Sequence, residues 1–221
     1  MAVRKRTAEA LQNELQQPNF IYLLRRFLYG QIHPDSESDS DIPVNWLPAF
    51  HAKISVYASA VATYFAPSDL CGIGGMRRER IRAVPSWRRG PARYDCIFVN
   101  ADPSAEGMHG LDVARVRAFF SFKFRGVNYP CALVHWFSRI GDKPDKNTGM
   151  WVVEPEFDFA QSPLGGSAII HLDTIFCAAH LLGVCNDNFV PRNLTFHDSL
   201  DTFHSHYVNK FIDHHAFGIA F

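Results

Sequence analysis

What the sequence lacks narrows the field first. It has no net charge, because 22 Lys and Arg balance 22 Asp and Glu. A neutral chain exerts no overall pull on nucleic acid or on an anionic surface, so such a contact has to come from a local patch. Its cysteines are not paired. Cys71, Cys96, Cys131, Cys177 and Cys185 stand singly, none in a C-x-x-C spacing, and the count is odd. That pattern argues against a disulfide framework and for reduced, partly buried thiols. No apolar run approaches the roughly 18–20 residues that a membrane span needs. Residues 1–17 are polar and lack the apolar core of a secretory signal. The expectation is a soluble intracellular protein with no membrane partner. Gly72-Ile73-Gly74-Gly75 lacks both the Walker spacing and the Rossmann fingerprint, so a turn is expected there, and no cofactor.

What is present suits a large packed core. The chain has 221 residues, of which 47% are hydrophobic and 19 are Phe, enough for one large domain or a domain with a helical extension. Residues 1–32 read as a helical arm. Leu11, Leu15, Phe20, Leu23, Leu24, Phe27 and Leu28 recur near helical spacing, with a break at Pro18. Residues 33–49 read as an acidic linker, HPDSESDSDIP at its heart, a solvated spacer or a phosphorylated switch. Residues 50–221 read as a β-rich domain. Ile54, Val56 and Ala58 alternate, and Val113, Val116, Phe119–Phe122 and Phe124 form the strongest run. A turn at 125–128 and a buried run from Cys131 to Phe137 make residues 113–137 a hairpin. Residues 150–153 and 168–172 are shorter strands, and 174–182 fits strand or a short helix. Leu200, Phe203 and Tyr207 predict a short C-terminal helix. The fold class expected is α+β and β-rich, a small barrel or curled antiparallel sheet. Phe120, Phe122, Leu133, Trp136 and Val152 are its expected core.

The clearest chemical signal is basic. Residues 77–93, RRERIRAVPSWRRGPAR, hold seven arginines against one acid, Glu79. Guanidinium forks bind phosphates, and Trp87 offers a stacking face. Arg77, Arg78, Arg82, Trp87, Arg88, Arg89 and Arg93 are therefore the candidate nucleic-acid contacts. The competing reading has these arginines paired with the acidic linker, with Asp95, Asp102 or Asp112, or packed on aromatics; Arg80 and Arg82 are further candidates to pair with Glu79. Other constellations are weaker. His197, His204, His206, His214 and His215 enrich the tail, but as a helix His204 and His206 diverge by about 200°, and no metal is expected. Cys131 and His135 share a strand face as thiol and base, or as a buried structural pair. Asp69, Asp95, Asp102, Asp112, Asp173 and Asp198 show no spacing that singles out a catalytic set. No catalytic residue is assigned.

Three long strings carry a family likeness: APSDLCGIGGMRRERIRAVPSWRRGPARYDCIFVN, GLDVARVRAFFSFKFRGVNYPCALVHWFSRIGDKPDKNTGMWVVEPEF and LTFHDSLDTFHSHYVNKFIDHHAFGIAF. From about residue 18 to the end, the chain resembles the C-terminal region of Plavaka-type proteins, of the KDZ group of fungal DNA-transposon proteins. It departs from that pattern at Leu182-Gly183-Val184-Cys185 and at Gly218. The resemblance implies that the acidic catalytic core lies outside this stretch and that the chain is a transposon-derived accessory module, nuclear in location. Residues 112–153 also resemble a BAH module, a chromatin-protein β-barrel, which makes Tyr129, Trp136 and Trp151 candidates for peptide recognition by cation–π contact. The function expected is a non-catalytic module binding nucleic acid or a chromatin or protein partner. The rival expectations are a metal-dependent nuclease or hydrolase whose carboxylates converge only in the fold, and a purely structural or oligomerisation domain.

Overall fold

A computed structural model describes residues 4–34, 42–67, 73–156, 166–185 and 190–221. The heart of the acidic linker with its phosphorylation reading, and Asp69, Cys71 and Gly72, lie outside the described residues. In chain order the elements are β1 (Arg4–Arg6), α1 (Ala8–Leu15), α2 (Phe20–Ile32), β2 (Ile54–Tyr57), β3 (Ser59–Phe65), β4 (Met76–Val84), β5 (Arg93–Tyr94) and β6 (Cys96–Asn100). There follow β7 (Leu111–Phe124), β8 (Val127–Arg139), β9 (Val152–Pro155), β10 (Ser167–His171), β11 (Ile175–Ala179), β12 (Leu181–Gly183), α3 (Ser199–Thr202), β13 (His206–Val208) and α4 (His214–Ile219).

The predicted hairpin is the spine. β7 and β8 pair antiparallel from Val113↔Phe137 to Phe124↔Val127. Their turn sets Arg125 and Gly126 at φ 50° and 85°, the left-handed pair that matches the twist of hairpin strands. Along half of the spine, pairing runs from β7 through β8, β9 and β13 to β12, and on the other side from β7 through β6 to β11. β11 and β12 form one run, interrupted only at His180. The curled sheet therefore closes on itself, and the ring is filled from its strands by Phe98, Val113, Phe137, Val153, Cys177, Ala179 and Val208. Met108 and Ala220 belong to this core, and the Met108 N–H donates to the Phe221 carbonyl at 3.3 Å.

The other half of the spine leaves the ring and is flanked by β2 and β10. Here α1 and α2 cover it. Thr7 caps α1 by accepting from the Ala10 N–H at 3.2 Å, and the apolar stripe Phe20, Leu23, Leu24 and Leu28 is buried against Phe120, Phe122 and Leu133, as an amphipathic helix requires. Arg25 of α2 donates to the carbonyls of Leu47 and Pro48 at 2.6 and 2.9 Å, which ties the helix to the chain beyond the acidic stretch. The opposite face of the sheet is covered by the β3–β4 hairpin through Ile81 and Ala83.

Several details correct the sequence reading. Phe120, Phe122 and Leu133 are buried, but Trp136 and Val152 are only half-buried; Val153, one residue on, is the one fully enclosed. Residues 175–179 and 181–183 are strand. Tyr207 lies in a strand as well, so the helix at 199 stops after one turn. Gly183 is tied to its place: a Cβ there would lie 2.1 Å from the Phe203 ring.

Candidate nucleic-acid interface

Strand alternation divides the arginine stretch. β4 runs exposed, half-buried, exposed along Met76–Arg80, so Arg77 and Glu79 point towards the body and Arg78, Arg80 and Arg82 point away. On the inner side the Arg77 guanidinium donates to Asp213 Oδ2 at 2.8 Å. Burial pushes the Asp213 carboxyl up, but the Ala216 N–H bond and the Arg77 charge outweigh it and hold the group below its usual range. Glu79 accepts from the Ala178 N–H at 3.1 Å and from the Tyr64 hydroxyl at 3.4 Å, so it joins the hairpin to β11 and does not pair with Arg80 or Arg82.

On the outer side, alternate residues of a strand repeat every ~7 Å, which places Arg78, Arg80 and Arg82 in a row. Arg80 donates to the Ser59 hydroxyl at 3.0 Å. The row leads into the turn Trp87-Arg88-Arg89-Gly90, closed by the Gly90 N–H on the Trp87 carbonyl at 2.8 Å. Arg88 and Arg89 both have positive φ, 53° and 64°. Left-handed backbone costs a non-glycine residue roughly 1–2 kcal/mol. Arg82, Arg88 and Arg93 approach the Trp87 ring at 4.6, 5.4 and 5.7 Å. Trp87 is thus a platform for guanidinium groups, where sequence reasoning had it stacking on a base. Arg93 also donates to Asp95 at 2.7 Å, and Asp95 accepts the Arg82 N–H at 2.8 Å. Asp102 and Asp112, the other suggested partners, take no arginine: Asp102 accepts from Ser104, and Asp112 is exposed on β7. Among the described residues no carboxylate pairs with Arg78, Arg80, Arg88 or Arg89.

Beside this turn lies a cleft of about 510 Å³ lined by Trp87, Arg88, Arg93, Tyr94, Arg115 and Phe196. Phe196 is 86% exposed, its ring nearly at right angles to that of His197 at 5.4 Å; nothing in the sequence marks it, since it stands over a hundred residues from the arginines, in a segment without periodicity.

The remaining candidates scatter. Trp136 and Trp151 line a common cleft of about 490 Å³, but Trp151 is buried and faces the Arg139 guanidinium at 5.8 Å. Tyr129 lies apart from both, stacked on Phe122 at 5.4 Å. Cys131 is buried, and desolvation pushes its thiol up to about 12; His135 lies four residues on, beside Ser167. His206 is buried edge-on to Phe137, and burial lowers its pKa. His215 stacks on Tyr64 at 4.8 Å. Among the described residues no three His, Cys, Asp or Glu side chains converge as a metal site, and no helix is long and apolar enough to cross a membrane. No protein-family model, curated protein or solved structure matches the chain.

Proposed function

We propose that the chain is a non-catalytic binding module that lays a nucleic-acid strand along the outer face of β4 and the Trp87–Gly90 turn. The observation that carries this reading is the row of exposed Arg78 and Arg80 and half-buried Arg82 on the outer face of β4, continued by exposed Arg88 and Arg89 in a strained turn. Arginines without acidic partners are free to take phosphates. Strain held at an exposed turn, where Asn or Gly would be more stable, points to a purpose outside the fold. Arg77 and Arg93 belong to the fold itself. Phe196 gives one base a stacking face, and the guanidinium groups read charge, so sequence preference is weak. With the likeness to Plavaka-type transposon proteins, the module is an accessory DNA-handling part of a transposon-derived protein, working in the nucleus.

The test replaces Arg78, Arg80, Arg88 and Arg89 by Ala and measures binding of several single strands at two salt concentrations. Affinity falls for every sequence, and the salt slope shrinks by about 0.7 for each phosphate that the variant no longer neutralises. Unchanged affinity in the folded variant overturns the reading.

A further inference from the structure

A second pair of arginines lies where the sequence shows no cluster. The register of β7 on β8 shifts between Val116↔Val134 and Ala118↔Leu133, so Arg117 is the extra residue of a β-bulge, a device that re-aims a side chain. The bulge sits where the face of the spine passes from the ring core, at Val113 and Phe137, to the helix-covered core, at Ala118 and Leu133. Between those two dry regions is a polar cleft of about 430 Å³, lined among others by Arg115, Arg117, His135, Ser167, Asp201 and His204.

The charges in this cleft are unbalanced. Arg115, only 13% exposed, binds Asp201 at 2.6 and 3.3 Å. Arg117 is half-buried, and its guanidinium lies over the Tyr94 ring at 4.7 Å; among the described residues it has no ion pair. Burial first, and then the neighbouring Arg115, lower its pKa. Two guanidiniums side by side with one carboxylate leave a site short of negative charge. The Asp201 carboxylate is 64% exposed on a one-turn helix, so an entering anion can displace it. The hydroxyl of Ser167 and the rings of His135 and His204 supply further hydrogen-bonding groups.

The position of the cleft says what the anion is attached to. Arg115 and Leu200 line both this cleft and the one beside Trp87, Arg88 and Phe196. The cationic row on β4 therefore leads, through Arg115, into the Arg117 cleft. We propose that this cleft holds the terminal phosphate monoester of a single nucleic-acid strand whose body lies on the β4 face. A monoester carries up to two charges where an internal diester carries one, so a paired-arginine cleft selects the strand end. The inference rests on the preceding reading for the strand, but not for the phosphate.

The experiment compares one oligonucleotide bearing a 5′-phosphate, a 3′-phosphate or hydroxyl ends, on the full chain, with inorganic phosphate titrated separately and followed by NMR at the arginine side chains. One phosphorylated form binds about tenfold or more tightly than the hydroxyl form. Arg117→Met removes that difference, bringing the phosphorylated form down to the affinity of the hydroxyl form; Arg117→Lys, which keeps the charge and loses the fork, retains part of it. Asp201→Asn, which removes the competing carboxylate, increases it. The fourfold β4-face variant weakens all forms equally and keeps the preference, so failure of the face and failure of the cleft read differently. Equal binding of all three forms, with no arginine shift on adding phosphate, overturns the proposal. So does a phosphoserine peptide that binds the cleft more tightly than any strand end.

Discussion

The two groups of arginines differ in almost every respect. Those of β4 and its turn crowd into seventeen residues, most of them exposed, and are visible in the sequence at once. Arg115 and Arg117 are two residues apart in an apolar strand, half-buried between two cores. Density along a chain marks an exposed cationic surface, because water screens the crowding. Burial without a matching carboxylate marks a cavity built for an anion, because there the charge is not screened. In the function proposed above, the first kind of arginine would set how strongly a strand is held, and the second which part of it.

Substitutions sharpen that contrast through folding stability. The largest effect is expected for Arg115→Ala, a loss of about 1–2 kcal/mol in urea unfolding, since it removes a buried stem and the bridge to α3 while leaving Asp201 in water. Next comes the turn. Arg88→Asn with Arg89→Gly stabilises the protein by about 1 kcal/mol by relieving left-handed backbone, and weakens strand binding in the same protein; a gain in both would break the link between strain and binding. Arg77→Ala costs somewhat less, ~1 kcal/mol at most, for a pair about a third exposed. It also changes the acid limb. Asp213 is held below 3.8, so its contribution is complete above that pH and is lost as pH falls through the lower folded value. Without Arg77 the folded value rises towards 3.8, so this contribution shrinks and the pH range over which it is lost narrows from its acid end, which an acid-unfolding titration reads directly. The smallest effects are for Arg78→Ala and Arg117→Met, each within ~0.5 kcal/mol, the latter favourable because it takes a desolvated charge away from a like one. A loss of 2 kcal/mol or more on Arg117→Met would show that the residue is a structural anchor.

The spine was legible in the sequence because both its strands are long and apolar and its turn carries Arg-Gly-Val-Asn. The helical arm was legible because one face of α2 is unbroken leucine and phenylalanine. The inward parity at Val152 and Val153 is not legible, because a four-residue strand has too few alternations to show which side faces inward. The β13 strand hid behind Leu200, Phe203 and Tyr207, whose spacing imitates a helix. The arginine stretch was legible as composition, but its division into an inner and an outer side depended on knowing that β4 is a strand. The cleft at Arg117 was not legible. Both faces of β7 are buried around it, so alternation is blurred, and the bulge has no glycine to announce it. His135, Ser167, Asp201 and His204 reach it from strands and turns that only the closed sheet brings together.

The way the sheet closes has a consequence for the protein's synthesis. β13, the last of the strands in chain order, fills the gap between β9 and β12. A chain released or cut before residue 206 would leave both of those strands with open edges, which are templates for pairing with other chains. The fold is therefore exposed to aggregation for as long as β13 has yet to emerge, and the ribosome has to deliver residues 206–208 before the rest of the sheet is protected.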